Sequence, residues 1–97
     1  MRPDSLFATI VERDLRNLVY AEETFFAEHV GYSASLDDLK FRPSNGVTVT
    51  IEEASSGAWR AVATHLQSPH WVCGIFVGGV NRRAQARQQA EPRWWHQ

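Results

Sequence analysis

A single cysteine, Cys73, in 97 residues excludes an intrachain disulfide and leaves the compartment unmarked by cysteine pairing. No run of 18 or more apolar residues occurs, so no stretch reads as a membrane-spanning helix. The start, Met1-Arg2-Pro3-Asp4-Ser5, has no apolar segment and does not read as a signal peptide. An excess of one charge is also missing. A net charge of −1 argues against a whole-domain affinity for nucleic acid or anionic membranes. There is no His-Glu-x-x-His, no Cys-x-x-Cys and no internal repeat. Gly78-Gly79 follows a strand pattern but opens no apolar helix, so it is not a phosphate loop. What is present is ordinary for a soluble domain: 43% hydrophobic and 22% charged residues. One domain with a modest core is expected.

The dominant feature is the stretch from Ser5 to Val30. Phe7, Ile10, Val11, Leu15, Leu18, Val19, Phe25, Phe26 and Val30 recur mostly in steps of three and four, which makes one apolar stripe on a helix. No Gly or Pro interrupts it, and Gly31 follows as the expected stop. At 1.5 Å per residue the helix would be about 40 Å long. Ser35 can cap a short turn through Leu36 and Leu39. Pro43-Ser44-Asn45-Gly46 is a turn signal. Beyond it the period drops to two. Val47, Val49 and Ile51 share one face. Trp59, Ala61, Ala63 and His65 share another, and Trp71, Cys73, Ile75 and Val77 a third. The turns expected are Ser55-Ser56-Gly57 and Gln67 to His70.

Short turns predict an antiparallel meander. The expected fold class is therefore α+β: one long N-terminal helix packed on an antiparallel sheet of three to four strands. The expected domain is 1–79, with helix 5–30, loop 31–46 and sheet 47–78. Residues 80–97 are expected to form a flexible basic tail. Residues 1–80 carry six Lys/Arg against ten Asp/Glu, or −4, while residues 81–97 carry four Arg against one Glu, or +3.

The order of pieces resembles the globular part of bacterial type IV pilin-like proteins and pseudopilins. The resemblance is carried by Asp14-Leu15-Arg16-Asn17-Leu18-Val19, Ala21-Glu22-Glu23, Phe25-Phe26-Ala27-Glu28, Gly31-Tyr32 and Ser35-Leu36. It continues through Pro43 to Ile51, Gly57-Ala58-Trp59 with Ala61, Ala63, Thr64 and His65, and Cys73-Gly74-Ile75-Phe76-Val77-Gly78. It covers roughly residues 9–79. It implies a structural subunit of a type IV pilus or of a type II secretion pseudopilus, acting by packing and not by catalysis. Implied partners are other pilin or pseudopilin subunits, in a homo- or hetero-oligomeric filament. The implied location is inner membrane, periplasm or cell-surface filament. The family's leader and apolar half-helix are not among these residues, so this chain alone is expected to stay soluble and unpolymerised. The alternative is a stand-alone protein- or DNA-binding module derived from a pilin.

No cofactor is expected, and no enzyme activity. His65 and Cys73 share the expected core face and, with a turn near Pro69, would sit opposite each other about 5 Å apart. That pairing suggests a metal site or a thiolate–imidazole pair. A nucleophile also needs an orienting group and a cleft, and neither is visible. His70 and His29 would complete a metal site only by chance placement, so core filling is the reading preferred. The structural core expected is Leu15, Leu18, Phe25, Trp59 and Ile75. Glu22 lies close to the apolar stripe. It reads as a subunit contact or as a partner for a buried backbone amide, but a boundary residue reaching water is the reading preferred. The Arg-rich tail, with Arg82, Arg83, Arg87 and Arg93 beside Trp94 and Trp95, could touch phosphates and stack on bases. A solvated tail is the reading preferred, and nucleic acid is not an expected partner.

Overall fold

A computed structural model describes residues 5–78 and 93–96. Helix α1 spans Ser5–His29 and strands β1 Val47–Ala54, β2 Ala58–His65, β3 Ser68–Gly78 and β4 Arg93–His96 follow. The four strands form one antiparallel sheet in sequence order. The expected α+β class with one N-terminal helix against an antiparallel meander is therefore what the chain forms.

The helix packs on one face of the sheet. Ala8, Val11, Leu15 and Leu18 are buried at steps of three and four, as the stripe requires. They meet Val47 and Val49 of β1, Trp59, Ala61 and Ala63 of β2, and Trp71, Cys73, Ile75 and Val77 of β3 within one core. The alternation that assigned these strand faces is the observed burial pattern. Of the five expected core residues, Leu15, Leu18, Trp59 and Ile75 are buried, and Phe25 packs half-buried at the margin. At about 1.5 Å per residue the 25-residue helix runs for about 37 Å. The longest dimension of the described molecule is 38 Å, so the helix spans it. No helix of the described residues is long and apolar enough to cross a membrane.

Three details differ from the sequence reading. The left-handed residue that ends the helix is Val30, at φ 53°, and not Gly31. Its N–H still donates to the Phe26 carbonyl at 2.9 Å, so the chain leaves the helix one residue earlier than the glycine suggested. The β2–β3 turn sits at Leu66 and Gln67, because His65 already pairs with Ser68. Pro69 therefore lies near the start of β3, a place where a missing N–H is tolerated. Finally, the expected tail is not all tail. Arg93–His96 adds β4 to the sheet, with Ile75 opposite Trp94 and Gly74 opposite Trp95. The rest of it, residues 80–92 and 97, lies outside the described residues.

The loop before β1 contains a tight turn of its own. Asp38 N–H donates to Ser35 Oγ at 3.2 Å, the cap expected there. Phe41 N–H reaches the Leu36 carbonyl and Lys40 N–H the Asp37 carbonyl, each at 3.0 Å. With Lys40 at φ 55°, this is a left-handed closure of one helical turn.

Candidate functional site

Two acids interrupt the apolar stripe of α1, Asp14 and Glu22, and both are buried. They lie eight residues apart, about 12 Å along the axis. Each accepts a hydrogen bond from the backbone of the loop that joins α1 to β1. Ser44 N–H donates to Asp14 Oδ2 at 2.7 Å, and Ser44 Oγ donates to Oδ1 at 2.8 Å. Ser33 N–H donates to Glu22 Oε1 at 2.8 Å. The helix thus grips both ends of the loop through hydrogen bonds from the loop's backbone amides. The turn at Pro43-Ser44-Asn45-Gly46 places the Ser44 amide toward the helix. The exit after Val30 places the Ser33 amide over Glu22.

Glu22 is the more unusual of the two. It is 0% exposed, and Oε2 has no hydrogen-bond partner among the described residues. Burial lifts its pKa from 4.5 to about 7. The Ser33 N–H works against that rise, and the neighbouring charge of Glu23 adds to it. Tyr32 lies beside this acid, and burial with the charges of Glu23 and Glu22 raises its phenol above 10.0. The Tyr32 ring sits 4.8 Å from Phe26 and 6.4 Å from Trp59. Trp59 is 1% exposed, and its Nε1 also lacks a partner among the described residues. Glu22 is not the boundary residue reaching water that the sequence favours: it is a buried acid holding a backbone amide. Its carboxylate lies inside the chain, so it is not placed to contact a neighbouring subunit.

His65 and Cys73 do not stand opposite each other, as the expected pairing requires. Cys73 stands opposite Ala63, while His65 stands opposite Ser68 and Val47, with a register shift between Ala63 and His65. The early turn moves the partners apart by two positions. His65 instead closes one end of the domain. Its Nδ1 accepts from Gln67 N–H at 3.0 Å, and its ring lies 4.5 Å from Phe7. Gly46, at φ 86°, leaves room for it, since a side chain there would crowd Nε2. Cys73 is fully buried in the core. Among the described residues, no three His, Cys, Asp or Glu side chains converge as a metal site would need.

The other side of the sheet, away from α1, carries a shallow cleft of about 360 Å³. Glu53, Ala58, Arg60, Phe76, Gly78 and Trp95 line it. Neither Asp14 nor this cleft was picked out in the sequence. Asp14 had a visible signal, an acid between Val11 and Leu15 on the apolar stripe. The cleft depends on β4 and had none.

These features define an α+β protein whose long helix is clasped by its own loop and covered by a four-stranded meander. Compared with protein-family models and with curated protein sequences, the chain matches none.

Proposed function

We propose that this chain is the head domain of a filament subunit of the type IV pilin or secretion-pseudopilin kind, and that it works by packing. One observation carries the reading: a single helix runs the length of the molecule with one side in the core and the other at the surface. Arg13, Asn17, Tyr20, Thr24 and Ala27 are exposed at steps of three and four, opposite the buried Val11, Leu15, Leu18 and Glu22. Tyr20 is 73% exposed in the middle of that side. Such a face is suited to lie against another helix. The resemblance in residues 9–79 supports the same reading, since subunits of that family associate through their helices and decorate the filament with their sheets. Asp14 and Glu22 then have a mechanical role: they fix the loop to the helix so that the head moves as one piece.

The test separates folding from assembly. The chain is placed behind a pilin leader and apolar half-helix in a host with the assembly machinery, and sheared filaments are assayed for it. Tyr20→Arg should leave the melting temperature unchanged and strongly reduce incorporation. Normal incorporation of Tyr20→Arg, with its fold intact, would remove the helix face from the proposal.

A further inference from the structure

We propose that the cleft on the outer face of the sheet binds a neutral saccharide, a flat pyranose with equatorial hydroxyls, between Arg60 and Trp95. This site goes beyond the filament reading and does not depend on it.

The polar half of the cleft is built by a bulge. β1 pairs Ile51 with Ala61 and then Glu53 with Arg60, so Glu52 is an extra residue. Two carboxylates thereby oppose one guanidinium. Arg60 Nε lies 3.8 Å from both Glu52 Oε1 and Glu53 Oε2. All three side chains are solvent-accessible, so the pairs add little stability. They do place a donor-only group beside acceptor-only groups, and neighbouring hydroxyls, which donate and accept, match that pair.

The aromatic half is built by a glycine. Arg60 stands opposite Phe76 across β2 and β3, and Gly74 stands opposite Trp95 across β3 and β4. The Trp95 indole lies directly on Gly74, where any side chain would collide with Cε2 and Nε1. One face of the ring is thus pressed on the sheet, and Trp95 is still 37% exposed. Trp94, its neighbour, faces the helix side, with Arg16 5.7 Å from its ring. Trp95 is therefore a fixed platform beside Phe76, ready for the C–H face of a sugar ring.

Charge selects among ligands. An anion meets two carboxylates that already answer the one arginine, a cluster of net negative charge. A neutral, polyhydroxylated ring with an apolar face avoids that repulsion and still finds both donors and acceptors. The volume of about 360 Å³ lies at the low end for small-molecule sites, enough for one or two rings.

The experiment titrates the full chain with cellotriose, read by tryptophan fluorescence and by the indole N–H signals in NMR. Saturable binding that shifts the Trp95 signal is expected. Trp95→Ala should weaken it by about tenfold or more, and Gly74→Ala, which lifts the ring off the sheet, should also weaken it. Arg60→Met, on an exposed position, should keep the melting temperature and lose affinity. Cellotriuronate, the anionic counterpart, should bind about tenfold more weakly than cellotriose. No saturation up to about 10 mM would overturn the site. So would affinity unchanged in Trp95→Ala or Arg60→Met, or equal binding of the uronate.

Discussion

Glu22→Gln should make the protein more stable at pH 8 and much less so at pH 5. The carboxyl is 0% exposed, and its pKa rises from 4.5 to about 7 on folding. Between those values the folded chain holds a proton that the unfolded chain has released. Stability from this group is therefore complete below about pH 4.5 and is lost as pH rises through 7. At about 1.4 kcal/mol per pH unit, the full loss is roughly 3 kcal/mol. Gln keeps the volume and an oxygen to accept from Ser33 N–H, and it never ionises. At pH 5 both folded chains hold a neutral group and only the unfolded wild type is partly ionised, so their difference should stay under about 1 kcal/mol. At pH 8 the variant should be more stable by about 2–3 kcal/mol, or roughly 10–20 °C in melting temperature for a domain of this size. Urea unfolding at both pH values gives the difference directly. Glu23, whose pKa is also raised by burial, is present in both chains. A Glu22→Gln effect of the same size at pH 5 and pH 8 would refute the burial of an ionisable acid as described.

Trp59→Ala should cost about 3–5 kcal/mol, because a fully buried indole over Ala61 and Ala63 leaves a cavity that small neighbours cannot fill. A melting temperature within a couple of degrees of wild type would contradict its place in the core. Val30→Gly should stabilise by about 1 kcal/mol, since Val30 is 77% exposed and held at φ 53°, where a β-branched residue is strained. Chemical denaturation measures it, and a destabilised variant would argue against the left-handed helix end. Gly74→Val should detach Trp95 and β4 while the helix and the first three strands persist. Amide exchange should then rise in residues 93–96 and not in β2, and unchanged protection of β4 would contradict the stacked indole.

Much of the body was legible because its signals are local. The stripe from Phe7 to Val19 and the alternation in Val47 to Ile51, Trp59 to His65 and Trp71 to Val77 each bury the faces they should. What failed to show depends on distance. Gly31 looked like the helix stop, but the Tyr32 N–H bond to the Ser55 carbonyl at 3.0 Å fixes how the chain leaves, and that lies 23 positions away. The turn at Leu66 and Gln67 has no Gly or Pro, and Pro69 drew attention from it. The resulting register separates His65 from Cys73 and dissolves the one pair that suggested chemistry. β4 was hidden because Arg93–His96 is short and distant from its partner β3, and Gly74 reads as a weak strand residue until Trp95 is seen on it. Asp14 and Glu22 were both visible as acids on an apolar stripe. Their shared task, holding Ser44 and Ser33, appears only once the loop is in place.

The proposal that this domain is the head of a filament subunit is tested most directly by immuno-electron microscopy of sheared surface filaments. The chain is expressed behind a pilin leader and apolar half-helix in a host that makes such filaments, with antibody raised against the folded head. Label along the filaments is predicted for the fused chain, and none for the same 97 residues expressed without the added segment. A fused chain that inserts and folds yet never labels a filament would contradict the claim, as would filaments formed by the unfused chain.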